Sequence, residues 1–221
     1  MGQEQNMPPS YRTVYTGGEG KYEEKKSVFI ATVRHVETEE EATAFIDEMK
    51  KKYWDARHNC SAYVLGSRSE QMRASDDGEP QGTAGRPILD VLTGASLTNA
   101  AIVVTRYFGG VLLGTGGLVR AYTQAARDGL LNSVLTERIY GTVLEIGAEY
   151  TDVGKLQYLL AQQNVPVLSS EYLDKVSMRV ILPAQDADRL IRDLTEATAG
   201  RADIKKADST YYCEVDGEII L

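Results

Sequence analysis

Five glycines, Gly109, Gly110, Gly114, Gly116 and Gly117, separate a run of β-branched residues from a run with helical spacing in AAIVVTRYFGGVLLGTGGLVRAYTQAARDGLL, residues 100–131. Glycine permits positive φ and close backbone approach, and a helix start leaves N–H groups unpaired at the positive end of its dipole. Together they form a generic receptor for anions. Val91 to Arg127 contains no Asp or Glu but carries Arg106, Arg120 and Arg127. The chemistry expected is contact with phosphate by Arg106, Gly109, Gly110, Thr115, Gly116, Gly117 and Arg120. The same letters also mark tight turns and close helix-to-sheet packing. Neither G-x-x-x-x-G-K-[ST] nor G-x-G-x-x-G with a following acid is present.

Other residues could join this site. Arg57 and His58 would extend its positive surface, and Tyr107 or Phe108 would stack on a base unless they belong to a core. Asp76, Asp77 and Glu79 surround Gly78 in SDDGEPQGTAG. Three such carboxylates can hold Mg²⁺ or act as acid and base, and a solvated acidic turn has the same composition. His35, His58, Cys60 and Cys213 do not make a zinc pattern, and the two cysteines read as reduced, partly buried thiols. No metal site and no cofactor are expected.

The elements that must position these groups follow from periodicity. Ala100–Phe108 suits a buried strand. From Leu118 onward a helix places Leu118, Val119, Tyr122, Ala126, Leu130 and Leu131 on one face, with Arg120 and Arg127 elsewhere. Upstream, strands are expected around Tyr11–Thr16 and Lys21–Val36, where Val28, Ile30 and Thr32 share a face. Thr38 and Glu41 have capping-box spacing for a helix with Ala42, Phe45, Ile46 and Met49 inward. Lys50, Lys51 and Lys52 complement its end, and could also contact RNA. Cys60–Gly66 reads as a strand, SRSEQMRASDDGEPQGTAG as a long polar connection, and Pro87 as the start of a short helix ending near Gly94.

After Arg138 the order becomes strand (Thr142–Tyr150), helix (Asp152–Gln163), strands (Val165–Leu173 and Lys175–Pro183), helix (Asp186–Ala199) and strand (Asp203–Val215). Asp152 is placed to cap the first of these helices. This β-α-β-β-α-β order predicts an α+β chain with a ferredoxin-like sandwich at residues 139–221, behind a separate domain at 1–138. The net charge is −8 over 221 residues, divided as −2 before residue 139 and −6 after it. Only the first part can present a cationic face to phosphate, and the acidic second part suits a protein partner. No apolar run approaches membrane-spanning length, and MGQEQNMPPSYRT lacks the features of a secretory signal, so a cytoplasmic protein is expected.

GRPILDVLTGASLTNAAIVVTRYFGGVLLG, with GTGGLVRAYTQAA, the SDDGEPQGTAG loop and RHNCSAYVLG, resembles the signature of the IMPACT or YigZ family. With the trailing β-α-β-β-α-β unit the resemblance covers nearly the whole chain. It implies an amino-terminal domain of the superfamily that includes the second domain of a small-subunit ribosomal protein. It also implies a carboxy-terminal domain similar to the last domain of a translocating elongation factor. Eukaryotic family members regulate translation through a ribosome-associated partner of a stress kinase, and some small-metabolite kinases share the amino-terminal fold. The reading that follows is a non-enzymatic RNA- or ribosome-binding protein acting in translation. The alternatives are an enzyme acting on a nucleotide or phosphorylated small molecule, and a regulator that binds protein through its carboxy-terminal sheet.

Overall fold

The computed structural model describes residues 7–221, so the first six residues of the segment read for a leader lie outside it. Two compact units are present, Tyr11–Glu137 and Arg138–Leu221, the latter joined by the described part of Met1–Ser10. The fold class is α+β.

In the first unit, β1 (Tyr11–Thr16), β2 (Glu19–Glu24), β3 (Ser27–His35), α1 (Glu39–Lys52), β4 (His58–Leu65), β5 (Gln71–Ser75), α2 (Gly85–Gly94), β6 (Ala100–Tyr107) and α3 (Gly114–Leu131) follow in order. Five strands form an antiparallel sheet in the order β2-β3-β6-β4-β5. The central strand β6 is apolar from Ala100 to Val104, where both of its faces are covered. Ala100, Ile102 and Val104 pack under α2 and α3, while Ala101 and Val103 pack against α1.

Several details depart from the periodicity. Lys21–Val36 is two strands, turned at Lys25 and Lys26, both with positive φ. The buried face of β3 is Phe29, Ala31 and Val33; Val28, Ile30 and Thr32 lie half-exposed on the other. Thr38 Oγ1 accepts the Glu41 N–H at 3.2 Å, and the Glu41 carboxylate accepts from Glu37 N at 2.7 Å, so the capping pattern closes one residue earlier than the standard box. The long polar connection contains β5, which lines up along β4 through backbone pairing although most of its side chains are exposed. Helix α3 starts at Gly114, four residues before the hydrophobic period becomes visible, and Val119 and Leu131 are exposed.

The second unit contains β7 (Val134–Ala148, which begins just before it), α4 (Tyr150–Gln162), β8 (Val167–Tyr172), β9 (Val176–Pro183), α5 (Ala187–Ala197), β10 (Asp203–Val215) and β11 (Glu218–Ile220). Its strands run β11-β10-β7-β9-β8, all antiparallel, which is the ferredoxin-like order with an added edge strand. Leu144, Ile146, Met178 and Val180 of the sheet pack on Leu156, Leu160, Leu190 and Leu194 of the helices. Asp152 does not cap α4. It lies within the first turn, buried, and binds Arg201 at 2.6 and 2.9 Å.

Helix α3 crosses β2 closely enough that only glycine fits at position 20. A Cβ there would stand 2.3 Å from the Gly129 nitrogen and 2.5 Å from the Asp128 carbonyl carbon. Gly20→Ala is expected to cost about 1–3 kcal/mol, as overpacking does. Urea unfolding of the variant checks it.

Candidate functional site

Strand β6 ends by sending consecutive side chains to opposite faces of the sheet. Arg106 turns toward α2 and α3, beside His58 on β4 and Phe29 on β3 in strand register. Tyr107 turns the other way and donates its hydroxyl to Asp55 at 2.8 Å, which removes it from the glycine side. Phe108 follows, 46% exposed, with its ring 5.6 Å from the Arg106 guanidinium carbon.

Arg106 is not a surface cation, as phosphate contact would suggest. It is 6% exposed and pairs through Nη1 with Glu79 Oε1 at 2.6 Å. The same carboxylate oxygen accepts the Tyr122 hydroxyl of α3 at 2.8 Å, and the Cys60 thiol donates to Tyr122 at 3.3 Å. Burial pushes the thiol of Cys60 and the phenol of Tyr122 upward, the nearby Glu79 charge adding to both, so both stay protonated. Nη2 of Arg106 reaches Ser27 Oγ at 3.5 Å, and Nε is buried without an acceptor among the described residues.

The three acids of SDDGEP therefore do different work. Asp76 serves α2, whose N-cap residue, Ala84, has no side-chain acceptor. Its carboxylate accepts N–H groups of Gly82 at 2.8 Å, Ala84 at 3.0 Å and Gly85 at 2.8 Å. Burial opposes its ionisation, but these three donors prevail and hold its pKa below the ordinary value. Asp77 accepts Asn59 N at 2.7 Å and Lys50 Nζ at 2.9 Å. Its carbonyl accepts His58 Nδ1 at 2.9 Å, which leaves Nε2 to face outward from that bond. Glu79 goes to Arg106. No cluster of three metal-ligating side chains occurs among the described residues, and these carboxylates do not converge on a common point.

The acidic loop and the glycine-rich segment nevertheless meet. They wall one cavity of about 450 Å³, between Arg57, His58, Glu79 and Pro80 on one side and Phe108, Leu112, Leu113, Gly114 and Thr115 on the other, with Arg106 and Leu118 between them. The glycines divide by role. Gly109 packs on the β2–β3 turn, where a Cβ would stand 2.1 Å from the Lys26 carbonyl carbon, and its N–H donates to Ser27 Oγ at 3.1 Å. Gly110 and Gly114 have positive φ. Gly116 and Gly117 lie in the first turn of α3 beyond the cavity lining, and Arg120 is exposed on the following turn. That first turn has no side-chain cap and no acid. The start of α2 is neutralised by Asp76; the start of α3 is left to face the cavity.

Periodicity missed Ser27, Pro80, Leu112, Leu113 and Tyr122 as parts of this site. Tyr122 carried a signal in hindsight: a phenol on the apolar face of a helix requires a buried partner.

These features define a two-domain α+β protein whose larger unit holds a cavity at the uncapped start of a helix. A family model described as the Impact N-terminal domain matches residues 25–130, and one described as a domain of unknown function, DUF1949, matches residues 146–201. The chain is 40% identical over 205 residues to the IMPACT family member YvyE of Bacillus subtilis, covering 93% of this chain and 94% of that protein. It is 38% identical over 178 residues to the IMPACT family member YigZ of Escherichia coli, covering 80% and 87%. A crystal structure described only as that of a hypothetical protein matches with a TM-score of 0.59 at 34% identity, covering 92% of this chain and 99% of that one. The chain belongs to the IMPACT family. No helix among the described residues is long and apolar enough to cross a membrane.

Two outcomes follow from the buried network. Glu79→Ala leaves Arg106 charged and unpaired and is expected to cost about 3–5 kcal/mol, whereas Glu79→Leu combined with Arg106→Met recovers most of that loss. Denaturant titration of the variants measures both. Because the folded pKa of Asp76 lies below its unfolded value near 3.8, its contribution is complete above that value and is lost as pH falls through the folded one. Asp76→Asn should cost about 1 kcal/mol at neutral pH. The gap to wild type should close in unfolding curves recorded well below pH 3.8.

Proposed function

We propose that this protein binds RNA, in the setting of the ribosome, and acts on translation without catalysing a reaction. The observation that carries the reading is the uncapped first turn of α3, open to a cavity that also holds Arg57, His58 and Phe108. N–H groups at a helix start take phosphate oxygens, an exposed Arg adds attraction, and an aromatic ring offers a face for a base. The translational setting rests on the family resemblance, and the charge distribution agrees with it, since the acidic second unit is kept for other contacts. A partner protein on that unit belongs to the same reading.

A second reading has its own support. The cavity is concave and has the size of a small-molecule site, and His58 is oriented by its bond to the Asp77 carbonyl, as a catalytic imidazole would be. An enzyme acting on a nucleotide or phosphorylated metabolite would use those features.

Arg106→Ala is a poor test, because it unpairs Glu79 in the interior. Arg57 and Arg120 are exposed, so their removal spares the core. Arg57→Ala with Arg120→Ala is expected to weaken RNA or ribosome pelleting about tenfold, and to reduce the slope of log affinity against log salt by about 1.4 if the RNA is single-stranded. Association that keeps its strength and salt slope in the double variant removes these contacts. Turnover on a panel of nucleotides and phosphomonoesters, lost in His58→Ala, would favour the enzyme.

A further inference from the structure

We propose that the cavity at the start of α3 seats a terminal phosphomonoester, so that RNA is gripped by a phosphorylated end rather than along its backbone. The inference rests on the reading of this cavity as the phosphate-contacting site, and adds which phosphate it takes.

The first observation is depth. Arg106, almost wholly buried, lines the cavity, and its Nε–H has no acceptor among the described residues while Nη1 is committed to Glu79. A buried N–H left without an acceptor is costly, and the described residues supply none for Nε. An acceptor brought by a ligand completes the site. The second observation is direction. The first turn of α3 carries no cap and no acid, and Gly114 and Thr115 bring it to the cavity wall. Donors thus come from Arg106, from the helix start and from the Thr115 hydroxyl.

A phosphomonoester suits this arrangement better than an internal linkage. It presents three non-bridging oxygens, against two on a phosphodiester, to donors arriving from several sides. It also carries a single ester substituent. A backbone phosphate must lead chain out of the cavity in two directions, which keeps it away from Arg106, whereas a terminal phosphate enters first with its nucleoside behind it. A volume of about 450 Å³ lies within the range of single small-ligand sites.

The rim fits the nucleoside that follows. Phe108 is 46% and Leu112 83% exposed, offering apolar surface to a sugar or base, and exposed Arg57 is placed for the next phosphate. Glu79 does not repel the anion as a free carboxylate would. Its Oε1 is held by Arg106 and Tyr122, so the pair is neutral, and the attraction comes from N–H direction, the helix dipole and Arg57.

The test uses the full-length protein and fluorescence anisotropy on oligoribonucleotides of one sequence, ending in a 5′-phosphate, a 3′-phosphate or hydroxyls only, with a free nucleoside monophosphate as competitor. One phosphorylated end is expected to bind about tenfold more tightly than the hydroxyl-ended chain, and to be displaced by the monophosphate. Thr115 is exposed, and a carboxylate in a first helical turn favours the helix. Thr115→Glu should therefore erase the preference while leaving thermal unfolding unchanged or raised. Equal binding of all three chains, weakened alike by Thr115→Glu, overturns the end-grip and keeps RNA binding. Binding indifferent to both the ends and the variant overturns the cavity as the site. Binding of the monophosphate alone, abolished by Thr115→Glu, upholds the phosphomonoester seat and overturns the RNA reading.

Discussion

The first unit depends on the burial of one carboxylate. Glu79 enters between the sheet and α3, and a lone carboxylate there would be prohibitively desolvated. Arg106 and Tyr122 make it tolerable, and each comes from a different element, β6 and α3, while Glu79 belongs to the loop before α2. The three parts of the chain are thereby tied at one oxygen atom. Such a pair adds little to stability compared with apolar residues of the same volume, but it demands one arrangement of the parts that carry it. Here that arrangement is what builds the cavity.

The two helices of this face differ in how their starts are satisfied. Both α2 and α3 begin at glycine, and neither has a capping side chain at its own N-cap. For α2 the chain provides Asp76, from nine residues upstream, and the helix start is satisfied within the fold. For α3 the described residues provide no side-chain cap, and the cavity at its start is lined by Arg57, Arg106, His58, mainly apolar groups and Glu79, which is already engaged. The polarity of a helix end is the same in both cases. What differs is whether the protein has used it.

The second unit follows simpler rules. Its strands alternate between one face packed on α4 and α5 and one face only partly covered, and the order β10-β7-β9-β8 follows from two β-α-β units joined in the middle by a hairpin. Asp152 and Arg201 close the end of this sandwich with a bidentate pair, the acid buried and the Arg half exposed. In the sequence this acid has the signature of a cap, because caps and first-turn acids share the same composition; position relative to the last non-helical residue separates them, and that depends on where the backbone turns.

Local signals were enough for much of this. The capping of α1 by Thr38, the ferredoxin-like order and the buried strand β6 are all visible in neighbouring residues, because periodicity and capping are short-range effects. The family resemblance, too, is a property of the letters alone. Tertiary structure decided the rest. That Arg106 is buried rather than displayed, that Tyr107 and Phe108 part to opposite sides, that Gly109 serves packing while the first turn of α3 faces a cavity, and that Asp76, Asp77 and Glu79 separate into three roles, all depend on partners 9 to 82 residues away. A side chain's charge is written in the sequence; whether that charge is spent inside the protein or left for a ligand is settled only when distant strands and helices meet.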